Sequence, residues 1–346
     1  MSEKRTGEII PPLIMDQIFG DSYHQVSNLI TGYKRYRILL WVLDSGVVDI
    51  LERDGPMETE ALIIRFGYRS ALATLWIDAL IDIGILERFE GLIRNNPALS
   101  PYLFSGSPLY QGDSIRSVQE GFWGMGIEIL TTEPGLPGKA ERKMTPEFLR
   151  VVSQHSMRGE IQEISRILSS LGEFKSARRL LDIGGGHGMY AISFCQQNPN
   201  LSAVILDQPH ITPFTRDMVD RYGLSDRIEV ISGDMDLDLP YPGYDLVYAS
   251  HMMYRQEDLP DLISRIVRVL NEGGLFISNH KFKADWVNPM NDPPAALENE
   301  IIRSFHRMVP ETEFLGILNS AGLSVVESRK VPANTGFSTL HTALKL

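Results

Sequence analysis

One cysteine, Cys195, stands in 346 residues. It excludes an intrachain disulfide framework and a multi-cysteine metal site. Positive charge is also short: 33 Lys and Arg face 44 Asp and Glu, a net of −11. That balance argues against non-specific binding to nucleic acid or anionic membranes. No apolar run is long enough to span a bilayer, so no membrane insertion is expected. The opening residues, MSEKRTGEIIPP, lack the basic-then-apolar layout of a signal peptide. A reducing cytoplasm is the expected location. The histidines at His24, His187, His210, His306 and His341 show no metal-ligand spacing, and no metal is expected. Internal repeats and low-complexity tracts are missing as well. What remains is 43% hydrophobic and 22% charged, the make-up of a folded globular protein. The length is about twice that of one usual domain.

The chain changes character midway. Up to about residue 100, apolar residues recur at helical spacing. Residues 36–46 read as a helix stopped by Gly46, and 47–51 as a short helix running into Asp54-Gly-Pro56. A third helix covers 58–66 and closes near Gly67; Ser70 can cap a fourth over 71–83. Two short strands follow, joined at Glu90-Gly91. Helices followed by a hairpin are the order of a winged helix. A helical pattern over 147–171 bridges the halves. From Arg179 onward, apolar runs at 179–183, 203–206, 228–231, 244–249 and 275–278 alternate with helical stretches. That alternation makes an α/β fold, a doubly wound parallel sheet covered on both faces. The last two runs, 323–328 and 337–344, have no helix between them and suit an antiparallel hairpin at the sheet edge.

The most informative segment is Leu180-Leu-Asp-Ile-Gly-Gly-Gly-His-Gly188, which ends a strand and opens a helix. Gly184, Gly186 and Gly188 let the backbone turn sharply and approach a ligand with no Cβ in the way. Met189 stands where a dinucleotide fingerprint wants Gly or Ala. No Gly-Lys-Ser/Thr follows, which excludes a P-loop. Asp182 precedes the turn. Asp207 ends the next strand, where an acid can accept both hydroxyls of a ribose. The third strand ends in Ser232-Gly-Asp-Met235, where Asp234 can bind an exocyclic amine such as that of adenine. Acids at three successive strand ends repel pyrophosphate and suit a cationic ligand bearing ribose and adenine. Any one of these residues could equally be a turn former or helix cap; their joint spacing carries the reading.

These motifs resemble the class I S-adenosylmethionine-dependent methyltransferases, over about 179–277. The match extends to 147–156, with Phe148 and His155-Ser156, which is similar to the helix before the cofactor domain in plant-type and bacterial small-molecule O-methyltransferases. Residues 39–97 resemble the winged-helix dimerisation domain of that family. The caffeic-acid and hydroxyneurosporene types and the bacteriochlorophyll C-methyltransferases are similar. The resemblance implies a seven-stranded Rossmann-like domain over 173–346, a winged-helix dimerisation domain over 1–110, and a helical linker over 111–172 that contributes to the acceptor pocket. It implies S-adenosyl-L-methionine as cofactor, a small ring-bearing acceptor and a homodimer. It assigns the cofactor's methionyl part to the glycine loop of Gly184, Gly186 and Gly188, and its carboxylate to Ser156; Asp182 joins the cofactor set. Asp207 falls to the ribose, and Asp234 and Met235 to the adenine; Gly233 and Ser250 join the cofactor set.

The pattern breaks at the family's general base, a His just after the fourth strand. A gapless count puts Met252 at that position and Tyr254 at the neighbouring Trp position; His251 is one residue off. A one-residue shift at a strand end turns a side chain to the other side, so His251 does not inherit the role automatically. The acid that orients the base falls on His280, and a second orienting acid survives as Glu311. The expectation is that His280, assisted by Glu311, is the base and that Tyr254 positions or polarises the acceptor. The bacteriochlorophyll enzymes resemble this chain in having Tyr at that position, which keeps C-methylation open beside O-methylation. A relative that binds the cofactor without transferring methyl is a third reading. Trp123, Met125, Met252 and His306 are candidate acceptor-lining residues. DNA binding is not expected: residues 71–83 contain no Lys or Arg and two Asp, and are apolar on more than one side.

Overall fold

The protein's structure is a computed structural model. It describes residues 21–68, 70–120, 122–124, 144–235, 239–253, 258–282, 293–303, 309–333 and 336–346. The chain divides into two compact units, Met1–Gly112 and Asp113–Leu346.

In the first unit four helices, Asp21–Ser45, Val47–Asp54, Thr59–Phe66 and Ser70–Asp82, lead into strands β1 (Leu86–Phe89) and β2 (Leu92–Asn95). The side chain of Ser70, the expected cap, lies outside the described residues. Gly46 ends the first helix with φ +66°, and Gly67 closes the third with φ +63° while its N–H donates to the Ile63 and Ile64 carbonyls. β1 and β2 pair antiparallel through Glu90 and Gly91, both at positive φ. That is the turn whose twist matches a two-residue hairpin. Val47, Leu51, Leu62, Ile77, Leu80, Leu86 and Ile93 form the buried side. Apolar surface remains outside it: Leu29 is 77% exposed, Ile64 73% and Leu75 66%.

The second unit is a seven-stranded sheet flanked by helices. Its strands are β3 (Arg179–Ile183), β4 (Ser202–Asp207), β5 (Ile228–Ser232), β6 (Tyr244–Ser250), β7 (Leu270–His280), β8 (Leu323–Pro332) and β9 (Phe337–Lys345). Their order is β5-β4-β3-β6-β7-β9-β8. β3 to β7 run parallel, and β9 pairs antiparallel with both β7 and β8. The parallel strands are near-continuous apolar runs because both faces are covered. On one face Ile164, Leu168, Phe174, Phe194 and Tyr248 share a core; on the other, Leu262, Ile266, Phe276, Phe314 and Leu318 do.

The single bridging helix expected over 147–171 is two helices, Pro146–Ser156 and Glu160–Leu168, broken at Gly159 with φ +122°. An L side chain rarely adopts that backbone, so glycine sets the break. The second of these helices packs into the sheet's core through Ile161, Ile164, Ile167 and Leu168.

Candidate functional site

The strand order turns outward from β3, with β4 on one side and β6 on the other. Ligands of open α/β sheets bind at such a switch point, beyond the strands' carboxyl ends. The segments after β3, β4, β5 and β6 therefore frame the site.

After β3, Gly184, Gly186 and Gly188 all take left-handed φ, +65°, +53° and +74°. The Gly184 N–H donates to the Leu206 carbonyl (2.8 Å) and the Gly188 N–H to the Gly185 carbonyl (2.8 Å). A Cβ on Gly184 would stand 3.1 Å from Met252 Cβ and 3.4 Å from Met235 Cε. Both methionines thus flank the loop. His187 Nδ1 accepts the Met189 N–H at 3.1 Å, which leaves its proton on Nε2, 3.4 Å from Ser156 Oγ. Ser156 is therefore beside the glycine loop although 28 residues separate it from Gly184 in sequence (184 − 156).

Asp207, at the end of β4, is 7% exposed. Its Oδ2 accepts the Gly186 N–H at 2.7 Å and its Oδ1 the Gln208 N–H at 2.7 Å. Gly233 follows β5 and its N–H donates to the Asp207 carbonyl at 3.0 Å. Asp234 next to it is exposed and Met235 half-buried. Asp182 is buried, and its Oδ2 has no hydrogen-bond partner among the described residues. A glycine cradle bounded by the Asp207 carboxylate at the end of β4 fits a cationic ligand lying across the loop.

Burial first, then the Asp207 carboxylate, pushes the Asp182 carboxyl up to about 8, against a weaker pull from the Ala191 N–H. The folded state therefore holds a proton that the unfolded chain releases near pH ~4. That contribution is complete below the unfolded value and is lost as pH rises through the folded one. Burial lowers His155 and His187 to about 4 and puts His280 well below the usual range. These histidines act in the opposite sense, but only below their unfolded value of about 6.5. Between there and about 8, ligand-free protein should lose up to about 1.4 kcal/mol of stability per pH unit from Asp182, the slope falling by half at the folded value. Urea denaturation across that window should show a flatter slope for Asp182→Asn. An identical slope in both proteins would remove Asp182 as its source.

The expected His280–Glu311 pair does not form. Glu311 Oε1 lies 3.1 Å from Nε2 of His341, a buried ring packed against Phe282 and Phe314. His341 faces it from β9, where strand pairing sets Thr339, not His341, opposite His280. His280 is 3% exposed and its Nε2 accepts the Met253 N–H at 3.2 Å. Burial, then His251 and His341, lowers its basicity.

A carboxylate unassigned in the sequence reading occupies the site instead. Glu160, 5% exposed, takes hydrogen bonds on Oε1 from His251 Nε2 (2.9 Å), Asn279 Nδ2 (2.6 Å) and Ser338 Oγ (3.1 Å). Ser250 Oγ lies 3.3 Å from the same Asn279 amide. Burial raises the Glu160 carboxyl, but the His251 ring and the three hydrogen bonds outweigh it and hold it below the ordinary carboxylate range. A sequence signal existed: Glu160 falls on the helix face of Ile164, Ile167 and Leu168, all buried. Asn279 and Ser338 carried none, since strand registry alone brings them together. Trp123 is 48% exposed and its Nε1–H donates to Glu298 Oε2 at 3.3 Å. Tyr254, Met125 and His306 lie outside the described residues.

A family model described as a methyltransferase domain matches residues 153–328. An uncharacterized protein of Methanocaldococcus jannaschii is 28% identical over 192 residues, 53% of this chain and 51% of that protein; the chain thus spans about half the length of this relative. The 3-hydroxy-5-methyl-1-naphthoate 3-O-methyltransferase of Streptomyces sahachiroi is 23% identical, covering 88% of this chain and 90% of its own. The crystal structure of human N-acetylserotonin methyltransferase in complex with S-adenosylmethionine superposes with a TM-score of 0.68, at 18% identity, over 96% of this chain and 99% of that one. No helix among the described residues is long and apolar enough to cross a membrane.

Proposed function

The chain belongs to the methyltransferase-domain family, and from that premise we propose that it methylates a hydroxyl on a small ring-bearing acceptor, with S-adenosylmethionine as donor. The observation that carries this reading is the glycine cradle at the switch point with acids at three successive strand ends, Asp182, Asp207 and Asp234. When bound, the cofactor supplies an electrophilic methyl carbon on a cationic sulfur. The 184–188 backbone lies against its methionyl part, and Ser156, set by His187, receives its carboxylate. Asp207 takes the ribose hydroxyls through further lone pairs of the oxygens that hold the Gly186 and Gln208 amides. Asp234 binds the adenine amine, with Gly233 leaving room and Met235 against the ring. Ser250 and Met252 close the far side, next to the acceptor. The naphthoate methyltransferase acts, by its name, on a ring hydroxyl, which supports the same acceptor class here.

Calorimetry with S-adenosylhomocysteine and NAD, followed by mass spectrometry of phenols incubated with S-adenosylmethionine, tests this. Binding of the former only, and a mass gain of one CH2, are expected; Asp207→Ala should weaken binding by about 1–3 kcal/mol. Tight NAD binding without binding of the methyl-donor product would overturn the reading.

The first unit is proposed as a winged-helix dimerisation domain. Its exposed Leu29, Ile64, Leu72 and Leu75 give it apolar surface to cover. Sedimentation at micromolar concentration should show a dimer; a monomer would count against it. A cytoplasmic location is part of the same reading, with the single buried thiol of Cys195 kept reduced.

A further inference from the structure

The two oxygens of the buried Glu160 carboxylate are used unequally. His251, at φ +52° directly after β6, brings its ring to Oε1, and Asn279 from β7 and Ser338 from β9 meet it there. Among the described residues all three hydrogen bonds end on Oε1 and none on Oε2. No lysine or arginine joins His251 as an ion-pair partner. A carboxylate taken out of water needs a cation or several donors to offset the cost. Here that compensation is confined to one oxygen. Glu160 lies one helical turn beyond Ser156, across the break at Gly159. The buried Tyr190 hydroxyl faces Glu160, Ser156 and Ser250 without completing a hydrogen bond to any of them. In the glycine loop, burial lowers the His187 ring to about 4 and the Glu160 charge opposes that shift. The carboxylate therefore stands beside Ser156 and a neutral imidazole, not beside a fixed cation.

The methionyl end of the donor carries a carboxylate and an ammonium on one carbon. Their partners must be neighbours of opposite kinds, hydrogen-bond donors for the first and an anion for the second. Ser156 Oγ and His187 Nε2–H are such donors, 3.4 Å apart. Two other acids border the loop. Burial, then Asp207, pushes Asp182 up to about 8, so it holds a proton at neutral pH. Both Asp207 oxygens already accept amides, from Gly186 and Gln208. Glu160 is the ionised acid next to Ser156 with an oxygen to offer. We propose that Glu160 receives the donor's primary ammonium on Oε2, and so selects a methyl donor that carries an amino group. This rests on the methyl-transfer reading and adds to it a residue outside the strand-end acids.

Calorimetry on wild-type protein and Glu160→Gln tests this with two ligands, S-adenosylhomocysteine and its deaminated analogue, in which hydrogen replaces the α-amino group. Glutamine keeps the shape and an amide oxygen for the three donors but carries no charge. Wild type should bind S-adenosylhomocysteine roughly 10–100-fold more tightly than the deaminated analogue, the range for a hydrogen bond to a charged group. In Glu160→Gln the affinity for S-adenosylhomocysteine should fall by the same factor, and the two ligands should bind within about threefold of each other. Equal affinities in wild type overturn the assignment, and that arm needs no variant to fold. A preference kept by Glu160→Gln, or an equal loss for both ligands, overturns it as well, since Glu160 then acts on the pocket and not on the ammonium. Weaker binding of S-adenosylmethionine alone would move its partner to the sulfonium and also overturn it. All these outcomes leave the methyltransferase reading standing. Wild-type protein that binds neither S-adenosylmethionine nor S-adenosylhomocysteine overturns both.

Discussion

Gly184→Val should abolish cofactor binding while the protein still folds. Gly184 sits at φ +65°, and the space where its Cβ would go is 3.1 Å from Met252 Cβ and 3.4 Å from Met235 Cε. A β-branched residue there carries about 1–2 kcal/mol of backbone strain and fills the cradle that the proposed function gives to the cofactor. The N–H that anchors the loop to Leu206 is kept, so the strand end remains tied. A loss of at least about 100-fold in affinity for S-adenosylhomocysteine corresponds to roughly 2.7 kcal/mol, within reach of strain plus occlusion. Circular dichroism should be unchanged and calorimetry should give no measurable heat. Affinity within about threefold of wild type would show that the ligand does not approach the backbone at Gly184.

The largest effect on stability is expected at Glu160, and a neighbour on its own helix supplies the contrast. Glu160→Ala removes the common acceptor of three donors in a site where water does not compete. The Asn279 amide keeps Ser250 Oγ at 3.3 Å and the Ser338 hydroxyl keeps Asn279 Oδ1 at 2.7 Å, while the His251 ring loses its carboxylate partner. Breaking a buried charged network of this kind costs about 3 kcal/mol. Glu163 lies one turn on and pairs with Arg166, whose side chain is 66% exposed; Glu163→Ala should cost under about 0.5 kcal/mol. Urea midpoints of the two variants, at unchanged m-value, measure the difference. Equal shifts would mean that the polar cluster adds nothing beyond an ordinary surface pair.

The amino-acid sequence by itself determined which segments are strands and helices, and where the glycine turn after β3 falls. Those follow from short-range rules. Apolar alternation and run length mark β3 to β9, and a glycine is needed wherever φ turns positive, as at Gly46, Gly67 and Gly184. Even the break at Gly159 was visible as a glycine, though the pattern around it read as one helix. Strand ends place Asp182, Asp207 and Asp234 in a row because a parallel sheet aligns its carboxyl ends.

Only the tertiary structure decided which polar groups meet. Glu311 went to His341 because β9 lies between β7 and β8 and carries that ring towards the Glu311 helix, two placements that no local pattern encodes. His251 reached Glu160 because one residue after β6 left the extended conformation, which reverses a side chain's direction and defeats counting by twos. Glu160, Asn279 and Ser338 are separated by 119 and 59 positions. Their meeting depends on the register of β7 against β9 and on a helix packed across the sheet. Periodicity reports on neighbours within a turn or a strand pair, whereas a buried carboxylate selects its donors from whatever the packed elements bring within 3 Å, about one hydrogen-bond length.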